Sequence, residues 1–291
     1  MAELRFLTKP EEFEQVEALQ RLIWPGNETE IVPVHILRTV ADHGGVLIGA
    51  YKESVLVGFV FGFPGLERIG DFPEQSHLMH ASHMVGINPD FRDSGLGFDL
   101  KRAQWQAVRQ QKIDHISWTY DPMQSRNASL NISKLGAVCN TYSEDHYGEM
   151  RDNINAGLPS DRFIVDWWIN TTRVQNRLDR NRRGRLSLDH YQDAKARIIN
   201  PVQQWVDQFP VPADEINDFS AQKLPIVLVE IPTDFQNMTA GNQELALGWR
   251  IQSRQIFKAY FLERYIVTDF VFKAGEPSRG YYVLSHGDSS F

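Results

Sequence analysis

Arg92-Asp93-Ser94-Gly95-Leu96-Gly97 sets an arginine, a serine and two glycines directly ahead of a stretch that reads as a helix. Glycine loses more backbone freedom on folding than any other residue, so a pair beside a helix start marks a turn that something approaches closely. The first N–H groups of a helix have no partners within it, and the helix dipole adds positive charge at that end. Backbone donors, a cationic side chain and open space describe a phosphate cradle. Two familiar phosphate turns do not fit. A dinucleotide fingerprint needs a third glycine, and here Phe98, Asp99 and Leu100 follow Gly97. A P-loop needs Gly-Lys-Ser/Thr after its glycines, and that is absent.

Three histidines, His77, His80 and His83, lie just upstream in HLMHASHMVGI. Strand side chains alternate, so His77 and His83 would share a face ~20 Å apart, too far for one metal. No metal is expected. The single cysteine, Cys139, permits no intrachain disulfide, suits a reducing compartment and reads as a small buried hydrophobe.

The elements that must hold the turn follow from periodicity. LRFLTK reads as a strand, and Pro10 opens a helix with Phe13, Val16, Leu19 and Ile23 on one side. A second helix, about residues 34–43, ends at Gly44-Gly45. VLIGAYKESVLVGFVFGF is a hairpin turning at Lys52-Glu53-Ser54. The histidine strand then runs to Asn88-Pro89, followed by the glycine turn and a helix to about Lys112 with Leu100, Ala103, Ala107 and Val108 inward. IDHISWTY, a short helix over 128–135, AVCNTYS and RFIVDWWI complete an α/β layer with a mixed central sheet flanked by helices. Residues 173–222 begin with an arginine-rich run read as a solvated linker or helix face. Residues 223–291 form a C-terminal β-α-β-β extension: PIVLVEIP, a helix over 243–263, YIVTDFVF and GYYVLSH. Domains are therefore expected at 1–172, 173–222 and 223–291.

The chain has 291 residues, with 30 Lys+Arg against 37 Asp+Glu for a net charge of −7. That balance disfavours nucleic acid as an obligatory partner. The charged N-terminus lacks a signal-peptide core, and no run approaches the ~18 apolar residues that span a bilayer. A cytoplasmic protein without a membrane partner is expected, with a homodimer left open.

The strand HMVGINP, the turn Arg92-x-x-Gly95-x-Gly97 and the helix after it together resemble motif A of the GNAT acyltransferase superfamily. Asn127 and Lys134-Leu135-Gly136 resemble its second motif, and the element order agrees over about residues 4–170. HASHMVGINPDFRDSGLG, WTYDPMQSRNASLNISKLGAV and GLPSDRFIVDWW resemble, more narrowly, a longer-tailed subgroup found beside N-succinylamino acid racemases. The resemblance implies an N-acyltransferase using acetyl-CoA or succinyl-CoA as co-substrate, acting on a small amine such as an amino acid. It implies that the pantetheine arm binds backbone groups at Met84, Val85 and Ile87. The pyrophosphate would sit on Arg92, Asp93, Ser94, Gly95, Leu96 and Gly97, with Asn127 and Lys134 also on the coenzyme.

Transfer from a thioester to an amine needs a base, since only the neutral amine attacks, and an acid for the departing thiolate. Some GNAT enzymes use a histidine at the position of His83, and a pKa near 6.5 suits that task. The family's usual acid, a tyrosine four residues before the second-motif glycine, is replaced by Ile132. Tyr142 and Tyr147 are the substitutes, Asp121 could orient the amine or His83, and Glu74 is a remote base acting through water. Arg126 and Arg162 are candidates for a substrate carboxylate, because a guanidinium pairs bidentately with one. Two other readings remain: an acyl-CoA-binding sensor without turnover, and acylation of a protein N-terminus or lysine.

Overall fold

The computed structural model describes residues 2–26, 28–67, 76–148, 157–179, 184–218 and 222–286. The chain divides into two units, residues 1–118 with 167–170, and residues 119–166 with 171–291. The expected boundaries at 172 and 222 both fall within the second unit.

In the first unit, strand β1 (Glu3–Phe6) leads into helix α1 (Pro10–Ile23), and the stripe Phe13, Val16, Leu19 and Ile23 is buried. Glu12 anchors the start of α1 by accepting the N–H groups of Thr8 and Lys9 and pairing with Arg5. Burial would raise its pKa, but these partners outweigh burial and hold it at about 2. Helix α2 (Val34–Asp42) precedes β2 (Val46–Lys52) and β3 (Val55–Glu67). Their hairpin turns at Glu53 and Ser54, both with positive φ (49° and 68°), the geometry that matches strand twist. Strand β4 (His77–Ile87), helix α3 (Leu96–Gln110) and β5 (His115–Tyr120) follow. The sheet order is β1-β2-β3-β4-β5, antiparallel except for the parallel pair β4–β5. Leu37, Leu47, Phe59 and Phe61 join the α1 stripe in one core.

Helix α3 corrects the sequence reading in one respect. Leu100, Ala107 and Val108 are buried as expected, but Ala103 is only half-buried, and Lys101 and Gln104 are buried instead. A lysine and a glutamine on the inward face need polar partners there. They have them, as described below.

The second unit begins with helix α4 (Ser125–Ala128), continued by a π-helical turn at Ser129–Lys134. Strands β6 (Val138–Ser143) and β7 (Arg162–Trp168) pair antiparallel. Short helices α5 (Thr172–Leu178) and α6 (Leu188–Asp193), strand β8 (Arg197–Ile198) and the small hairpin β9 (Trp205–Val206) and β10 (Phe209–Pro210) lead to β11 (Ile226–Ile231). Helices α7 (Phe235–Gly241) and α8 (Gln243–Leu262) then precede β12 (Tyr265–Lys273) and β13 (Arg279–His286). The order here is β7-β6-β12-β13-β11-β8, with β11–β8 parallel. Because Val267 on β12 pairs with Cys139 on β6, the C-terminal strands extend the sheet of β6 and β7.

On α5 the arginines of the run are tied to protein groups, whereas Arg185 further along is exposed. Arg173 donates to the carbonyls of Gly136 and Thr268, and Arg177 donates to Ser133 O and pairs with Asp269 at 2.8 Å. Leu188 and Tyr191 of α6 pack with Leu228, Tyr281 and Val283 in a local core. Arg180, Arg182 and Arg183 lie outside the described residues. No helix among the described residues is long and apolar enough to cross a membrane.

Candidate active site

In the first unit the site is built on the end of β4 and the start of α3. Strands β4 and β5 pair in parallel at His80↔Ile116 and Ala81↔Ser117, and the described pairing between them ends there. On its other side β4 stays paired with β3 as far as Gly58↔Ile87. Met84, Val85 and Ile87 are half-buried on this stretch. Between the pairs Phe61↔Met84 and Phe63↔Ala81, Ser82 and His83 oppose the single residue Gly62, a β-bulge that interrupts strict alternation of side chains. A parallel strand that parts from its neighbour turns backbone donors and acceptors toward the gap, where an extended amide-bearing chain can pair with them.

Pro89–Phe91 makes a single 3₁₀ turn after β4, capped by the Asn88 side chain, and the glycine turn follows. Asp93 and Gly95 both have positive φ, 60° and 83°. Gly95 is the N-cap of α3, and its carbonyl accepts from Phe98 N and Asp99 N. A Cβ on Gly95 would meet nothing within 4 Å, so its own requirement is the left-handed backbone and the space above it is open. Gly97 is buried in the first helical turn beside Leu96. Arg92 and Ser94 are exposed, with Ser94 Oγ donating to Phe91 O at 2.6 Å. The turn therefore offers the start of a 15-residue helix together with an exposed guanidinium.

His83 is exposed at its edge, with its ring against Phe61 and Phe63 at centroid distances of 5.8 and 6.1 Å. Burial against those rings disfavours the charged imidazolium and lowers its pKa below 6.5. It is thus neutral at pH 7 and able to accept a proton.

Apart from Glu74, the remaining expected residues lie in the second unit. Asp121 is buried and bidentate to Arg250, at 2.6 and 2.7 Å, and also accepts Met123 N. Burial would raise its pKa, but the Arg250 charge and hydrogen bonds outweigh that and lower it. Its oxygens already serve a buried ion pair. Tyr142 donates to Asp161 Oδ2 at 2.6 Å, and Asp161 is itself clamped by Arg254. Burial, then the hydrogen bond to that carboxylate, raise the Tyr142 pKa far above 10. Such a phenol is a weak proton donor to anything else. Tyr147 is exposed, its hydroxyl 2.8 Å from Thr119 Oγ1 and its ring 5.2 Å from the Arg162 guanidinium. Arg162 is buried and donates to Asp161 O. Arg126 and Asn127 are exposed on α4, Lys134 is half-buried, and Ile132 is fully buried. Glu74 lies outside the described residues. Among the described residues, no group of three or more His, Cys, Asp or Glu could hold a metal.

Sequence reasoning missed the polar cluster beneath the bulge: His80, Ser82, Lys101 and Gln104. One signal for it was present. Gln104 stands four residues after Leu100 and three before Ala107, inside the apolar stripe.

No family model matches the chain, and no curated protein matches it. Solved structures do. A GNAT-family acetyltransferase from Streptococcus pneumoniae is 12% identical over 57% of this chain and 98% of its own, with a TM-score of 0.45. Chaetomium thermophilum Naa20, solved with a bisubstrate analogue, is 14% identical over 62% and 90%, at 0.46. Salmonella typhimurium yncA, solved with its cofactor acetyl-CoA, is 12% identical over 59% and 95%, at 0.45. Likeness at this level says nothing of individual residues, so the chemistry rests on the side chains and backbone described above.

Proposed function

We propose that this chain is an acyl-CoA-dependent N-acyltransferase acting on a small amine, with an amino acid as the acceptor class and acetyl- or succinyl-CoA as the donor. The observation that carries the reading is a β4–β5 pairing described at His80 and Ala81 only, with Met84–Ile87 and then the glycine-capped start of α3 following along the chain. The gap suits the amide-bearing pantetheine arm at Met84, Val85 and Ile87, and the turn from Arg92 to Gly97 suits the pyrophosphate. The resemblance of those same residues to the GNAT motifs supports the assignment.

In this reading His83 takes a proton from the substrate ammonium. The neutral nitrogen attacks the thioester carbonyl, forming a C–N bond and an oxyanion. Collapse breaks the C–S bond and releases the CoA thiolate, while the nitrogen loses its second proton to reach the amide. Water protonates the thiolate, because Tyr142 is engaged with Asp161 and Ile132 stands where the family has its tyrosine. Arg126 and Arg162 remain the candidates for a substrate carboxylate.

The same two observations favour one alternative: an acyl-CoA-binding sensor that has lost its acid and does not turn over. A thiol-release assay with acetyl-CoA and succinyl-CoA against an amino acid panel separates the two. Acceptor-dependent release supports the enzyme. Tight CoA binding with no release for any acceptor overturns it in favour of the sensor.

A further inference from the structure

Lys101 has 2% of its surface exposed, no carboxylate accepts from its amine in any described hydrogen bond, and it lies directly under the β4 bulge. Its Nζ donates to Ser82 Oγ at 2.9 Å and to Gln104 Oε1 at 3.0 Å, and lies 3.6 Å from the centroid of the Trp118 ring. Trp167 flanks it from 5.3 Å. Ser82 Oγ donates in turn to Gln104 Oε1 at 2.9 Å. The Gln104 amide nitrogen lies 3.1 Å from His80 Nε2, which accepts from it. Burial, then the nearby Lys101, depress the His80 pKa to about 3, so the ring is neutral and can accept. The cluster closes against Gly62, the residue opposite the bulge. A Cβ there would lie 2.4 Å from His80 Nε2 and 2.9 Å from Gln104 Nε2.

Burying an amine is expensive, and apolar side chains of similar volume would fill this space at less cost. Polar groups retained in a core are best attested as devices that fix register. The register at stake here is specific. Ser82 is the first bulge residue, His80 and Ala81 make the described pairs with β5, and His83 follows Ser82 directly. Lys101 and Gln104 sit three apart on the helix that the Gly95 turn opens.

We infer that Lys101, Ser82, Gln104 and His80 are positioning residues, a buried polar clamp that locks the β4 bulge to α3 and so aims His83 and holds the gap beside β5 open. The inference rests on the acyl-transfer reading only for what the clamp serves. Its geometry is independent of that reading.

The test uses Lys101→Met and Ser82→Ala, with Ser82→Thr as the variant that keeps the hydroxyl. Three measurements are made on the full chain: His83 ring titration by NMR, CoA affinity by calorimetry, and kcat separately from the amine KM. In folded Lys101→Met and Ser82→Ala, the His83 pKa should climb toward 6.5 as its ring leaves Phe61 and Phe63, and CoA affinity should fall. Turnover should drop by up to roughly 10²-fold, the scale set by an ångström of misplacement, with amine KM little changed. Ser82→Thr should restore much of each. If Lys101→Met does not fold, Ser82→Ala, which deletes one hydroxyl, carries the same readouts. Folded variants with wild-type His83 titration and wild-type CoA affinity would overturn the clamp. A wild-type protein that binds no CoA would overturn the functional reading instead, and the His83 titration would still decide the clamp.

Discussion

At the scale of single residues, surroundings divide the titratable groups into those free to act and those already committed. His83 rests against Phe61 and Phe63, and a lowered pKa means its neutral form persists below pH 6.5. Activity that needs the neutral ring should therefore fall only as pH drops through a midpoint below 6.5. His83→Ala should lower turnover roughly 10²-fold or more, the usual scale for losing a general base. The acidic limb should vanish with it, while CoA affinity measured by calorimetry hardly changes. A variant that keeps both limb and turnover would move the base elsewhere. Asp121 is the opposite case, since Arg250 holds both its oxygens in the core. Arg250→Met would strand a buried carboxylate at a cost of about 3–5 kcal/mol at neutral pH. The stranded acid can escape by taking a proton, so the deficit should shrink in acid. Chemical unfolding of the variant and wild type at pH 7 and pH 4.5 checks both the size and the trend.

Among the elements, two glycines make different demands. Gly62 faces the bulge, where a Cβ would press within 2.6 Å of the Ala81 carbonyl as well as on His80. Gly62→Ala should thus destabilise by about 1–3 kcal/mol through overpacking. Gly95 has open space around it and needs only its positive φ of 83°. An alanine there costs roughly 1–2 kcal/mol of backbone strain without a clash, and the fold should persist. Thermal unfolding alone does not separate them, so CoA binding is measured alongside. Gly95→Ala should lose affinity out of proportion to its loss of stability, because the proposed anion site is built on its turn. Unchanged affinity in folded Gly95→Ala would remove the phosphate from this turn.

Across the whole molecule, each unit carries a carboxylate held in its charged form. Glu12 in the first unit sits at about 2 against a usual 4.5, and Asp121 in the second lies below its usual 3.8. A carboxylate with a depressed folded pKa contributes stability above its unfolded value and loses it as pH falls through the folded one. Stability should decline below about pH 4.5 in both units, after an earlier fall below pH 6.5 in the first unit, where the unfolded chain protonates His80 and the folded ring, at about 3, does not. Urea midpoints followed by tryptophan fluorescence at stepped pH test this, and Glu12→Gln should soften the decline. A wild-type midpoint unchanged into strong acid would contradict it.

The local pattern was enough to place the elements. Apolar period and turn chemistry located α1 and its stripe, the β2–β3 hairpin, the order of strands around the glycine turn and the C-terminal β-α-β-β run, because each is set by neighbours within a few residues. The glycine turn and His83 were visible for the same reason. What tertiary structure decided was the use of each polar group, which depends on partners far away in sequence. Asp121 looked like a strand-ending turn residue with a role to spare until Arg250, on α8, claimed both oxygens. Tyr142 was available as an acid until Asp161 took its proton bond. Arg173 and Arg177 read as solvated charge until distant carbonyls and Asp269 received them. The bulge at Ser82–His83 left no mark in an alternating strand, and the lysine and glutamine that meet it lie on another element. Periodicity reports which way a side chain faces, and only the folded chain determines what it meets there.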